Sequence, residues 1–406
     1  MFMPNFISFL DARDRLLMLA NPVEAETVPL EDISGRILAQ DVVARENIPP
    51  FDRSAYDGYA LRAADIAPAS QEHPVTLRIL EEIPAGSVSH CPVPAGCAVK
   101  ILTGAPIPQG ADAIIKYEQT DFTDKTVTIF SPVESGSNIV RTGEDVHAGT
   151  CLAKAGAPVD AGLAGTLASQ NIPAPLVYRV PKVGIVSTGS ELLEVGDAIL
   201  PGKIYDSNRY MLCTAVRKLG CEPVLLGHAA DRTEDICALI QKGLQECDAL
   251  VLTGGVSVGD YDLTPAAMEM AGVEILFRGV DIKPGMACAY GSREGKLVCG
   301  LSGNPASSIT NFYAVATPAL KRLTGQTDCL PKEITLRLAD GFRKKSPCTR
   351  MLRGALDLSD GTVRMSVPQR QGNVVLSSTI GCNVMAVIPA GSDAIAVNTQ
   401  LKGFLI

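Results

Sequence analysis

The sequence predicts a multidomain α/β protein built around a doubly wound, mostly parallel sheet, and three patterns in its 406 residues predict it. From Lys182 onward, brief apolar strands at Val183–Ser187, Pro223–Leu226, Ala249–Leu252 and Leu297–Leu301 alternate with helical stretches at Arg209–Leu219, Glu234–Gln245 and Pro265–Met270. Continuous apolar runs with little in–out alternation mark strands covered on both faces, the condition of a parallel sheet. Before that region, short strands at Val75–Leu80, Ala98–Leu102, Ala113–Tyr117 and Thr126–Phe130 are divided by Gly and Pro, which gives a β-rich segment. Beyond about Thr327 the helices stop, and Ile334–Leu338 and Val363–Val367 alternate cleanly, so a small antiparallel β domain follows.

At 46% hydrophobic and 20% charged residues the chain can bury real cores, and its length suits roughly two to four domains. The net charge of −8 argues against a general nucleic-acid binder, because phosphate backbones are held mainly by basic surface. No uninterrupted apolar run reaches membrane-spanning length. Residues Met1 to Ala20 carry Asp11, Arg13, Asp14 and Arg15 and read as an amphipathic helix with Ile7, Leu10 and Leu17 on one face, not as a signal peptide. Twelve cysteines without a Cys-x-x-Cys spacing, beside four histidines, argue for scattered thiols in a reducing cytoplasm and against a zinc site. Residues Ala161 to Ser169 read as a short helix.

In open α/β sheets, ligands sit at the carboxyl ends of the strands, where the crossover reverses. Polar residues gather at those ends here: Ser187 to Glu191, Asp231, the stretch from Thr253 through Gly254, Gly255, Ser257 and Gly259 to Asp260 and Asp262, and Ser302 to Pro305. Glycines permit close backbone approach, successive N–H groups cradle anions, and carboxylates suit Mg²⁺. An ordinary strand-to-helix loop with solvated aspartates is the plainer reading of the same stretch. In the β-rich segment, Phe51 to Ala60 is a dense run of polar and aromatic loop residues of the kind that carries function.

An ordered set of signatures extends across nearly the whole chain. It comprises Ser54 to Ala60, Thr103 to Pro108, Arg141-x-Gly143-Glu144-Asp145, Ser187-Thr188-Gly189-x-Glu191, Ile204 to Asn208, Thr253 to Gly259, Ile282 to Gly285 and Gly303-Asn304-Pro305. Together they resemble the MoeA family of molybdopterin molybdenumtransferases, whose eukaryotic counterpart is the E domain of gephyrin. The resemblance implies an elongated helical N-terminal and linker domain (1–46 plus 147–178) and a β-rich insert (47–146). It further implies an α/β domain like the molybdopterin adenylyltransferases (179–327) and a C-terminal β-barrel (328–406). The family implies a cytoplasmic homodimer, with the cleft built between the α/β domain of one subunit and the insert of the other. Its substrates are adenylylated molybdopterin and molybdate, its metal Mg²⁺, and its products molybdenum cofactor and AMP. Molybdopterin adenylyltransferase or molybdoenzymes are the implied protein partners, with neither nucleic acid nor membrane among them.

Carried over residue by residue, the resemblance implies catalytic roles for Asp57, Asp145, Glu191, Asp262 and Lys283, with Asp231 and Asp262 near the metal. It implies substrate contacts from Ser54, Thr103, Asp206, Ser207, Asn208, Gly254, Gly255, Ser257, Gly303, Asn304 and Pro305. The oxyanion is expected at Lys283, Ser307, Arg350, Arg353, Ser377 and Ser378. Plainer readings exist: Asp57 as a turn residue bonded to its own backbone, Asp145 as a cap, Glu191 as a favourable acid at a helix start, and Lys283 as a surface lysine. The chain also departs from the family. Met286-Ala287 replaces the common Lys-Pro, Ser302 replaces a common proline, and the basic element near Arg350 and Arg353 is only loosely recognisable. The oxyanion end is altered while the pterin and nucleotide end matches. That leaves three readings open: molybdenum insertion, a tungstate-using variant, and a non-inserting molybdopterin-binding or scaffold paralogue.

Overall fold

The computed structural model describes residues 6–256, 263–359 and 361–406. Two compact units emerge, one of Met1–Gln40, Ala155–Ala164 and Ala174–Ile406, the other of Asp41–Lys154 and Gly165–Pro173.

The larger unit holds a six-stranded sheet in the order Glu222–Ala229, Lys182–Thr188, Ala249–Thr253, Lys296–Leu301, Cys288–Arg293 and Glu274–Arg278. The first four strands are parallel, and the last two form an antiparallel edge. Alternate residues of the Ala249 strand enter two separate cores. Ala249 and Val251 pack with Leu212, Val216 and Phe312 on one face, while Leu250 and Leu252 pack with Ile236, Ile240 and Met268 on the other. The second face is covered by helices α4 (Thr233–Glu246) and α5 (Thr264–Met270). The first face is covered by α1 (Phe9–Leu19), α3 (Ser207–Lys218), α6 (Pro305–Asn311) and α7 (Thr317–Leu323). Burial on both sides is why these strands read as unbroken apolar runs.

Helix α1 differs from its sequence-based expectation. It starts after Ser8, whose side chain accepts the Asp11 N–H, and buries Ala12 and Leu16. Leu10 points to solvent, and Ile7 is not helical: it bridges Val280, and Asp281 N–H donates to Ile7 O at 2.9 Å. The Ser8 cap accounts for the helix starting beyond Ile7. Helix α2 spans Ala161–Ser169 as expected.

In the C-terminal part, the strands Thr349–Asp357, Arg364–Ser366, Glu333–Leu338, Gln400–Leu405 and Val384–Ile388 pair in sequence, and the last pairs back to the first. Five strands therefore close a barrel. Leu336, Leu338, Leu352, Met365 and Ile388 fill it, while Thr335 and Arg337 alternate outward. Closure removes the exposed edges that short antiparallel strands otherwise present.

The smaller unit contains a second six-stranded sheet, ordered Ala113–Lys116, Gly58–Leu61, Cys97–Ile101, Val75–Ile83, Thr126–Ile129 and Thr120–Phe122. Tyr59, Leu61, Leu77 and Ile115 form one of its cores. A Cβ on Gly58 would lie 2.0 Å from Ile115 O, so only glycine fits that ladder position. Among the described residues no helix is long and apolar enough to cross a membrane.

Candidate active site

The sheet's topological switch lies between the Lys182 and Ala249 strands, because the first crossover runs to the Glu222 strand on one side and the next returns to the other. At that point Gly254 approaches Thr188 so closely that a Cβ would sit 2.4 Å from its carbonyl oxygen. A φ of +108° adds a second reason for glycine. Asn208, buried in the first turn of α3, joins the strand ends. Its Nδ2 donates to Thr253 Oγ1 at 2.8 Å and to Gly303 O at 2.7 Å, and Thr253 Oγ1 donates to Ser302 O at 3.2 Å. Asn208 Oδ1 is buried and accepts nothing from the described residues. Asp206 caps α3 by accepting the Arg209 N–H at 3.1 Å, and Arg209 pairs with both Glu194 and Asp206, which fixes the preceding loop.

The acids on neighbouring loops have defined surroundings. Asp231 accepts the Ser190 N–H at 2.9 Å through Oδ2, and its own N–H donates to Ser190 Oγ at 3.1 Å. Glu191 is exposed and begins no helix; a short strand follows it, pairing Leu192–Leu193 with Ile204–Tyr205. Ser257, Asp260 and Asp262 lie outside the described residues.

Beside these loops is a cavity of about 620 Å³. Lys283 reaches it from a two-residue strand paired in parallel with Thr349 and Arg350. The turn after Lys283 is pinned by Asn311, whose Nδ2 donates to Gly285 O at 2.6 Å. Asn304, Ser307 and Ser302 line the same space, as do two residues the sequence reading did not name, Arg278 and Asn373. Met286, Ala287 and Cys288 form part of an apolar wall; burial pushes the Cys288 thiol up to about 12, so it stays protonated at neutral pH. No acid lines the cavity among the described residues.

The expected oxyanion residues do not all converge. Lys283 and Ser307 share the large cavity, whereas Arg353 lines a second one, of about 290 Å³, with Lys218, Tyr313 and Cys382. The buried Arg353 guanidinium donates to Thr310 Oγ1 at 3.2 Å and Ser378 Oγ at 3.0 Å. It has no ion pair among the described residues, and burial lowers its pKa to about 10. Arg350 is occupied within the barrel, donating to Ser346 Oγ at 3.1 Å and lying over the Phe342 ring. Ser377 is exposed.

In the smaller unit, Asp57 does not bond its own turn. Its Oδ1 accepts both the Thr103 N–H at 2.7 Å and the Thr103 hydroxyl at 2.8 Å, across 46 residues of chain. These bonds, the backbone one foremost, hold its carboxyl below the usual carboxylate range. Asp145 is exposed and anchored by its N–H to Ile48 O at 2.9 Å, while buried Ser54 bonds Tyr56 O. No spacing signal pointed to Arg278 or Asn373, which approach from the sheet's antiparallel edge and from the barrel segment.

Comparison with known proteins supplies the family context. Residues 7–170 match the family described as the MoeA N-terminal region (domain I and II), and residues 184–322 match a probable molybdopterin binding domain. The molybdopterin molybdenumtransferase of Staphylococcus aureus (strain Mu50) is 36% identical over 390 residues, covering 96% of this chain and 93% of the relative. That of Staphylococcus epidermidis (strain RP62A) is 35% identical over 388 residues, covering 95% and 92%. The crystal structure of the molybdopterin biosynthesis moeA protein from Pyrococcus horikoshii superposes with a TM-score of 0.85 at 32% identity, over 99% of this chain and 100% of that one.

Proposed function

The chain belongs to the MoeA family of molybdopterin molybdenumtransferases, and we propose that it moves molybdenum from molybdate to adenylylated molybdopterin with release of AMP. One observation supports this most: a cavity carrying Lys283, with no acid among the described residues that line it, adjoins the glycine-rich strand ends of a molybdopterin-binding-type domain. A doubly charged oxyanion would be drawn to such a space, since charge-assisted hydrogen bonds are the strong ones and no carboxylate among the described lining residues opposes them.

On this reading the residues divide the work. Gly254, Gly255 and Gly303 allow the substrate's anionic part to approach the backbone, and Asn208, held between Thr253 and Gly303, keeps that surface rigid and retains a free acceptor in Oδ1. Lys283, Asn304 and Ser307 hold molybdate. Asp231 offers a hard oxygen, Oδ1, that the described residues leave unbonded, which suits an Mg²⁺ held by one or two carboxylates and by substrate phosphates. Asp231, with Asp262, would hold that ion, which would neutralise phosphate charge during release of AMP. Asp57, ionised through its Thr103 bonds, and Glu191 and Asp145, both exposed, are the groups available to move or orient protons and water. The homodimer, Mg²⁺ and the roles of Thr103, Ser54 and Asp206 rest on the family resemblance.

The test is AMP release and molybdenum incorporation by the purified protein given adenylylated molybdopterin, Mg²⁺ and molybdate. Both products should appear together, and Lys283→Gln should raise the molybdate concentration for half-maximal rate about tenfold or more. Binding of the pterin substrate without AMP release, under any metal or oxyanion supplied, would instead indicate a carrier or scaffold.

A further inference from the structure

In the run from Ile282 to Ala287 the sequence offers the oxyanion one cation, Lys283, and Met286 beside it carries no charge. The fold supplies another from a different element. Arg278 is the last residue of the edge strand Glu274–Arg278, opposite Ala289 in the antiparallel ladder. The loop that follows is closed at its neck by Gly279 N–H donating to Cys288 O at 2.8 Å and Val280 N–H donating to Met286 O at 3.0 Å. Lys283 stands at the tip of this loop. Neck and tip thus face one cavity, and Arg278, Lys283 and Met286 all line it. Arg278 is exposed, and neither cation has an ion pair among the described residues. Phe6 lies against Gly279, the residue after the arginine, where a Cβ would come 2.3 Å from its ring.

We propose that Arg278 is a specificity-determining residue for the transferred oxyanion: with Lys283 it grips molybdate. This rests on the transferase reading above. A guanidinium presents a planar fork of donors to two oxygens of a tetrahedral anion, whereas an ammonium acts as a point charge. Arg278 and Lys283 together therefore offer two positive charges with different geometries of recognition.

The experiment is calorimetric titration of the full-length protein with molybdate alone, repeated for Arg278→Gln, Arg278→Lys, Lys283→Gln and the double variant Arg278→Gln/Met286→Lys, each checked by thermal melt. Arg278→Gln should weaken molybdate binding at least tenfold without lowering the melt, Arg278→Lys should recover part of the loss, and Met286→Lys should restore binding in the Arg278→Gln background. A structural role for Arg278 would not be rescued by a charge placed across the neck. Unchanged molybdate affinity in Arg278→Gln, or a loss that Met286→Lys leaves in place, overturns the proposal. If Lys283→Gln still weakens binding in that case, the transferase reading survives; if the parent protein binds no molybdate, both fall.

Discussion

Asn208 is a single side chain on which three strand-end loops depend. Its amide donates to Thr253 Oγ1 in buried surroundings and to Gly303 O in partly buried ones. Asn208→Ala should cost about 1–3 kcal/mol in urea unfolding, the penalty for stranding buried partners, and should lower turnover as the loops lose register. Asn208→Asp should be worse, because a carboxylate cannot donate to Gly303 O and brings an unpaired buried charge. Equal stability of the parent and both variants would show that the loops hold themselves. Asp57 permits a pH prediction. Its carboxyl titrates below the usual 3.8, so whatever it contributes is present above that value and is lost only as pH falls through the lower folded value. The ratio of kcat/KM between the parent and Asp57→Asn should then stay constant from pH 5 to 8, and a ratio that changes near pH 6 would rule out this ionised assignment.

At the scale of elements, the strand that leads into the glycine-rich stretch is preceded by a structural acid. Asp248, just before the Ala249 strand, accepts hydrogen bonds from Arg179 Nη1 at 2.7 Å and Nη2 at 2.6 Å, together with the Lys182 N–H at 2.7 Å. Burial pushes its carboxyl up, and the Arg179 and Lys182 bonds outweigh that and hold it down. The pairing fixes where two adjacent parallel strands start. Asp248→Asn should destabilise by about 1–3 kcal/mol, discounted because the arginine is partly exposed, while turnover of the folded fraction stays unchanged. The destabilisation should vanish in acid, since the parent loses this contribution as pH falls through the depressed value. Likewise Gly58→Ala should separate the strand beside Asp57 by forcing a Cβ against Ile115 O, with a loss of about 2 kcal/mol or more in the melt.

For the whole molecule, the twelve free thiols report on burial. Cys91 and Cys151 are exposed, whereas burial pushes Cys288 and Cys299 up to about 12. Alkylation at pH 8, followed by mass spectrometry, should modify the first two within minutes and leave the other two until the protein unfolds, because the thiolate is the reacting species. Rapid labelling of Cys288 would mean that its cavity wall opens in solution.

The sequence by itself determined what repeats along the chain: the doubly wound sheet from its unbroken apolar strands, the terminal β domain from its alternation, and the family from motifs in a fixed order. Local chemistry carries those signals. It also located Asn208, Gly254, Gly303 and Lys283, since each lies in such a motif at a strand end. Tertiary structure decided which motif residues share a space. Lys283 and Ser307 line one cavity, but Arg353 opens into another, because Lys283 pairs with Arg350 and Arg353 stands three residues further along that barrel strand, on its other face. It likewise placed Arg278, at the end of an edge strand, in the cavity with Lys283, and it brought Asn373 there from a segment about 90 residues further along. No spacing rule reaches that far, since such neighbours are set by how sheet and barrel pack rather than by anything local in the chain.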